Sequence, residues 1–338
     1  MMTKMEQAGV ILKDGGQAKD VIGLMMDYGC NCFRLRLFVN PTGRGGVIQD
    51  VPYTIELAKR IKAANAVFML DFHYSDTWAD PAKQYKPQAW EALSFDELTK
   101  KVETYTAEVI TEFKKQNVLP DMVQVGNEIN PGFLWPDGKL TGKDPNEWIR
   151  FSTLLKAGIR GVRNSISPQD KIQIIIHIAC GGDIDKTDWF LSNLEKYGVS
   201  YDILGQSFYP WWHGTMKDLE ENLAQTAKKF NKDIFVVETA YPYKDVKNFE
   251  SRADHLDAMI WDKTPEGQKL FLDELIKTVR NTPGNHGLGV LWWYPESVPT
   301  RQPGGWNGGA TALFDSEGNA LPAMKSFAIS GDPQKKSN

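Results

Sequence analysis

The chain has 338 residues, 41% of them hydrophobic, which suits one large core better than a pair of ordinary domains. A formal net charge of −4 and a pI near 5.8 leave no basic excess to attract nucleic acid or an anionic membrane surface. No apolar run is long enough to span a bilayer, and Met1–Gly16 lacks the apolar run of a signal peptide, as would a mature or truncated chain.

In chain order, a helical pattern begins by about Gln17. Short apolar runs then alternate with amphipathic stretches. Predicted strands are Cys32–Phe38, Val67–Phe72, Met122–Gly126, Ile172–Ile178, Tyr201–Gln206, Ile234–Val237 and Leu288–Trp293. Predicted helices are Val51–Ala64, Phe95–Gln116, Pro145–Asn164, Asp185–Tyr197, Met216–Phe230 and Pro265–Thr282. This βα rhythm implies an α/β fold of parallel strands with helices outside, either a barrel or an open doubly wound sheet. No Gly-rich phosphate fingerprint follows a strand, which disfavours a nucleotide-binding sheet. Seven strands can be counted. A (β/α)8 TIM barrel is therefore expected with its first strand missing or incomplete at the N-terminus, because a barrel left open exposes two unpaired edges. Residues 1–330 are expected to form one catalytic domain and 331–338 a polar tail. Cys30, Cys32 and Cys180 have neither metal spacing nor an even count, and are read as buried free thiols.

Two carboxylates carry the chemistry. Val125-Gly126-Asn127-Glu128 and Val236-Val237-Glu238-Thr239 each end an apolar strand, and barrel enzymes place catalytic groups at the C-terminal ends of strands. The interval of 238 − 128 = 110 residues spans three βα units, at about 37 residues each. In an eight-strand count the two residues fall on strands four and seven. From there they can face each other across the mouth, as two-carboxylate glycoside hydrolysis requires. The expected roles are Glu128 as general acid/base and Glu238 as nucleophile, with carboxyls about 5–5.5 Å apart.

Around this pair, Asn127 can hydrogen-bond a sugar hydroxyl. Asp71 and His73 share one face of their strand. They can orient a sugar, support other site residues as a structural pair, or join His177 and His213 around a metal, although that spacing is no recognised metal signature. Arg34 and Arg36 alternate with leucines and are expected inside the barrel. Arg36, nearer the strand's C-terminal end, is expected to hold Glu238 ionised, and Arg34 to sit in a structural ion pair. Tyr209 can hydrogen-bond Glu238. Trp293 is expected to form a stacking floor, and Trp292, on the opposite face, to pack in the core. Eight of the 11 tryptophans, including Trp78, Trp135, Trp211, Trp212 and Trp306, lie in or beside strand ends and loops, where flat apolar faces suit sugar rings.

These residues resemble family 53 of the glycoside hydrolases, the endo-β-1,4-galactanases. The resemblance runs from about Glu6 to Phe327. It rests on Arg34-Leu35-Arg36 with Val39-Asn40-Pro41, the block Asp71–Pro81, and Val123–Ile129. Further pieces are Gly132 with Leu134-Trp135-Pro136, Tyr209-Pro210 with Trp212-His213-Gly214, Val237–Pro242 and Ala312–Asp315. It implies a retaining hydrolase of β-1,4-galactan, the side chain of pectin, with Glu128 as acid/base and Glu238 as nucleophile; the alternatives are a related endo-glycanase acting on mannan, xylan or glucan, and a sugar-binding barrel with impaired catalysis. Asn127, Asp71, His73, Tyr209 and Trp293 would lie near the cleaved sugar, and Arg36, Trp78 and Trp135 are further substrate-binding candidates. It also implies an extracellular or periplasmic location; a monomer without cofactor is expected. Three departures stand out. The family's first strand, with its Gly-Ala-Asp-type motif, has no counterpart, so that strand is expected upstream of Met1. Trp293-Tyr294-Pro295 replaces the family's usual Trp-Glu-Pro. Tyr243–Arg252 lacks a clear match to the loop through which bacterial relatives bind calcium, so no metal is carried over.

Overall fold

The computed structural model describes residues 2–44, 46–247, 249–298 and 305–331. Its frame is one parallel sheet of seven strands: β1 (Cys32–Leu37), β2 (Val67–Phe72), β3 (Met122–Val125), β4 (Gln173–Ile178), β5 (Ile203–Phe208), β6 (Asp233–Thr239) and β7 (Gly287–Trp292). Each strand pairs with its neighbours in chain order. The sheet curls, and its ordered succession of βα units gives the barrel expected from the sequence rather than a doubly wound sheet, whose strand order would reverse.

Helices α1 (Met2–Gln7), α2 (Val21–Asp27), α3 (Val51–Ala63), α4 (Phe95–Lys115), α5 (Glu147–Arg163), α6 (Ile184–Lys196), α7 (Pro210–His213), α8 (Met216–Phe230) and α9 (Pro265–Arg280) accompany the sheet, with 3₁₀ segments and two small antiparallel ladders. Their starts are written locally. The Asp50 carboxylate accepts from the Tyr53 N–H at the head of α3, and Ser94/Glu97 and Thr215/Asp218 form capping boxes on α4 and α8. The predicted helix at Gln17 starts late: Gln17–Ala18 pairs with Lys13–Asp14 in a small ladder, and α2 begins at Val21, where Asp20 caps it.

Alternation along the strands sorts side chains inward and outward. Met69, Met122, Ile175, Ile203, Phe235 and Val237 form an apolar plug inside the barrel, and a larger core lies between sheet and helices. Towards the C-terminal ends the inward positions turn polar, through Arg34, Asp71, Gln124, His177 and Ser207. Gly205 makes room between the two layers: a Cβ there would stand 3.1 Å from both Ile175 and Val237.

Where the first strand is expected to be missing or incomplete, Met2–Gln7 forms α1, and no pairing joins β1 to β7 among the described residues. A cavity of about 280 Å³ lies between these edges, lined by residues of both strands and by Met2. β7 is correspondingly the least buried strand of the sheet. All three cysteines are free; Cys180 is buried, but Cys30 and Cys32 are only half-buried. No described helix is long and apolar enough to cross a membrane. The predicted tail lies outside the described residues from Asp332 onward.

Candidate active site

At the C-terminal end of the sheet, a cavity of about 420 Å³ is lined by Glu128, Glu238, Asn127, His73, Trp78, Tyr209 and Trp293. Local backbone features aim the two carboxylates. Glu128 follows Gly126 (φ +87°) and itself adopts a left-handed conformation at φ +49°, an uncommon state for a residue with a side chain. Glu238 sits at a bulge: Val236 is level with Gln206 but Glu238 with Ser207, so two residues of β6 span one step of β5. Such an extra residue bends the strand and re-aims its side chains.

The environments of the carboxylates differ. Glu238, 5% exposed, receives the Arg34 Nη1–H at 2.8 Å on one oxygen and the Tyr209 hydroxyl at 3.1 Å on the other. Glu128, 8% exposed, has Ser207 Oγ 2.6 Å from its Oε1. Burial first, and the charge of Glu238 second, push the Glu128 pKa well above the usual carboxylate range. Burial also raises Glu238, with the Asp71 charge adding to it, but the Arg34 charge and the Arg34 and Tyr209 hydrogen bonds hold it to a smaller rise than that of Glu128. Burial together with the two glutamates raises the Tyr209 pKa, so this phenol stays a hydrogen-bond donor.

Arg34 organises the floor. Beyond Glu238 it reaches Asp71 Oδ2 at 2.9 Å, Gln124 Oε1 at 3.0 Å and Asn127 Oδ1 at 2.6 Å. Gln124 donates to Asp71 Oδ1 at 2.6 Å, and the fully buried Asp71 also lies 3.1 Å from His73 Nε2. A desolvated cation is therefore surrounded by two carboxylates and two amide oxygens, the compensation a buried charge needs.

This corrects the expected division between the arginines. Arg34, not Arg36, holds Glu238. The Arg36 guanidinium lies 4.4 Å from the Trp78 ring centre, 4.8 Å from Trp293 and 4.6 Å from Tyr294, in a cation–π box. The physical reason is reach: the Arg34 side chain extends to the Asp71 level, while the space above is filled by aromatic rings.

The other expectations divide. Tyr209 donates to Glu238 as expected, and Trp293 lines the cavity edge-on to Trp78 at 5.9 Å, while Trp292 is buried beside Phe271. Asp71 lies beneath the cavity rather than in its wall. Trp135 does not line the cavity; it packs edge-on to Tyr85 at 6.0 Å with Lys139 Nζ 4.0 Å from its ring centre. His73 Nδ1 accepts from the Ala79 N–H, His213 Nδ1 accepts from the Tyr209 N–H, and His177 lies against Asn127 and Ser207, so each ring has its own immediate partners, with His73 and His177 linked through Asp71, Arg34 and Asn127. Among the described residues no three His, Cys, Asp or Glu side chains cluster as a metal site.

Sequence reasoning missed Asp80, Lys83 and Tyr294 in the cavity wall, gave Trp212 and Trp306 no specific role, and did not single out Gln124 or Ser207. Periodicity offered a signal for the last two, since Gln124 lies two positions from Met122, and Ser207 two from Gly205, on the inward face.

Known proteins share this architecture. An uncharacterized protein from the bgaB 5' region of Niallia circulans is 40% identical over 340 residues, covering 96% of this chain and 91% of that protein. The arabinogalactan endo-beta-1,4-galactanase of Cellvibrio japonicus is 34% identical, covering 96% of this chain and 88% of that protein. The GH53 catalytic domain of Ignisphaera aggregans superposes with a TM-score of 0.88 at 35% identity, covering 96% of this chain and 92% of that one. With the model of glycosyl hydrolase family 53 matching residues 1–327 around this paired-carboxylate site, the chain belongs to that family.

Proposed function

We propose that the protein is a retaining endo-β-1,4-galactanase, and that residues 1–330 form its catalytic domain. The observation that carries the reading is the asymmetry of two buried carboxylates on one cavity: Glu238 is held by Arg34 and Tyr209, while Glu128 is displaced toward its protonated form. One carboxylate that stays ionised beside another that holds a proton is the pairing that splits nucleophile from acid.

In the first step a Glu238 oxygen attacks the anomeric carbon, the glycosidic C–O bond breaks, and the Glu128 proton passes to the leaving oxygen. The negative charge on Glu238 is thereby consumed in the ester. Glu128, relieved of that charge, accepts a proton from the incoming water, whose oxygen displaces Glu238 from the same anomeric carbon. Two inversions give net retention. Trp293 and Trp78 supply apolar faces for a sugar ring, and Asn127, fixed by Arg34 and the Ala79 carbonyl, sits beside the acid.

The substrate class follows the names of the relatives: β-1,4-galactan, as found in type I arabinogalactan side chains of pectin. Action on such a polymer fits an enzyme working outside the cytoplasm as a monomer. Reducing-end release from purified galactan, mannan, xylan and glucan tests the reading. Galactan should be cleaved fastest and in mid-chain; preference for another polymer reassigns the substrate, and no release from any of them removes the hydrolase reading.

A further inference from the structure

Beside Glu128, a line of polar side chains runs from Ser207 through His177, both outside the cavity wall, to Asn127, which lines it. Ser207 Oγ is 2.6 Å from Glu128 Oε1, His177 Nε2 is 2.8 Å from Ser207 Oγ, and His177 Nδ1 is 3.0 Å from Asn127 Oδ1. His177 and Ser207 are fully buried. The reaction as derived above uses neither.

The hydrogens in this line can be assigned from its far end. Asn127 Nδ2 faces the Ala79 carbonyl at 2.8 Å, which can only accept, and Oδ1 faces Arg34 Nη2 at 2.6 Å, which can only donate. The amide is thereby locked with its oxygen toward His177. Gln124 Nε2, at 3.2 Å, is a further donor to Oδ1. With a hydrogen on Nδ1 the 3.0 Å contact is a hydrogen bond, whereas without one two lone pairs face each other. Two donors favour the other tautomer, the Glu128 backbone N–H at 3.4 Å and Arg34 Nη2 at 3.5 Å, but both contacts are long. Burial, and then the Arg34 charge, press the imidazole to stay neutral, so a hydrogen on Nδ1 leaves Nε2 bare. A bare Nε2 at 2.8 Å takes the Ser207 hydroxyl hydrogen. Ser207 then offers Glu128 only a lone pair.

We propose that His177 and Ser207 are positioning residues that keep the hydrogen of the Glu128–Ser207 contact on Glu128, presenting it as an acid, and that one hydroxyl rotation re-sets it as a base. When Glu128 gives its proton to the leaving oxygen, the Ser207 O–H turns from Nε2 to the new carboxylate. When Glu128 takes a proton from water, the hydroxyl turns back. No proton leaves His177 in either step, so the proton count stays that of the two-carboxylate mechanism. The role rests on the assignment of Glu128 as acid/base.

Groups facing Glu128 are Glu238, Asp80, Arg34, Tyr209 and Cys180; those facing His177 are Arg34, His73 and His213. None of these charged or titratable groups is removed when the neutral His177 or Ser207 is replaced. His177→Phe frees the Ser207 hydroxyl to donate permanently to the Glu128 carboxylate. The alkaline limb of kcat/KM should then move to lower pH by roughly one unit, a tenfold change in the ionisation constant for one hydrogen bond. Ser207→Ala removes that donor and should not lower the limb, and the double variant should follow Ser207→Ala. A purely structural role would reduce activity without this ordering.

The second readout is the tautomer itself. In ¹⁵N spectra of the full-length enzyme labelled at histidine, His177 should carry its hydrogen on Nδ1 below the alkaline limb. An Nε2–H signal there overturns the proposal, as does a His177→Phe limb that stays put or rises. If His177→Phe does not fold, the tautomer alone decides. Absence of hydrolysis would remove the reading of function but leave the tautomer result standing, whereas the wrong tautomer in an active enzyme would sink only the relay.

Discussion

Arg34 Nη1 lies 2.8 Å from Glu238 Oε1, so a residue of β1 holds a carboxylate 204 positions away, with both side chains buried. The same guanidinium holds Asp71 at 2.9 Å.

Replacing Arg34 by Met would leave both carboxylates buried without their cation. Breaking a buried pair from one side costs about 3–5 kcal/mol, so chemical denaturation should show a loss of that order, with activity falling at least a hundredfold. Arg36→Met should cost less in stability and should raise KM more than it lowers kcat, because Arg36 supports aromatic rings rather than the nucleophile. Equal kcat losses in the two variants would contradict this division.

The two glutamates should fail in different ways. Glu238→Ala abolishes turnover on every substrate, because no glycosyl ester can form. Glu128→Ala spares the first step for an aryl glycoside with a good leaving group, while galactan cleavage drops by roughly 10²–10⁴-fold. Azide should then partly restore Glu128→Ala and yield a β-glycosyl azide. Rescue of Glu238→Ala with an α-azide instead would reverse the two roles.

Stability should carry the imprint of Glu128 as well. Its folded pKa is raised above the ordinary value of 4.5, so the folded state binds that proton more tightly than the unfolded chain does. The contribution is complete below that ordinary value and is lost as pH rises through the raised one. His177, whose folded pKa is lowered, acts oppositely: its contribution is present above its ordinary value of 6.5 and fades as pH falls below it. Denaturation midpoints of wild type and Glu128→Gln across this range separate the two. The difference between the proteins should shift in favour of Glu128→Gln as pH rises from the ordinary value through the raised one and level off above it, and a pH-independent difference would refute the assignment.

Trp293 and Trp135 are expected to act at different distances. Trp293→Ala should raise KM roughly tenfold even for a short substrate, since a stacking face beside Glu238 is lost. Trp135→Ala should affect long galactan chains only, because that ring stands apart from the cavity. Kinetics on a galacto-oligosaccharide series checks the contrast.

The glutamates were legible because each closes an apolar strand, and the strand rhythm placed them at the same end of a barrel. The division between Arg34 and Arg36 was not, because alternation gives the face of a side chain but not how far a flexible one reaches. The bulge before Glu238 was equally hidden: nothing in Val236-Val237-Glu238 marks an extra residue until β5 is set beside it. Ser207 was passed over because a lone inward serine has no meaning before Glu128 and His177 are seen on either side of it. Trp135 was grouped with the site because tryptophans near loops were counted together, and composition does not measure distance.

The left-handed backbone at Glu128 sets stability against chemistry at a single codon. A side chain in that conformation costs about 1 kcal/mol that glycine would avoid, and asparagine tolerates it better than glutamate. A library of this chain selected only for heat resistance should therefore enrich Gly or Asn at position 128, and the survivors would be inactive. Screens for robust variants need a turnover readout from the first round, or they will climb away from the enzyme.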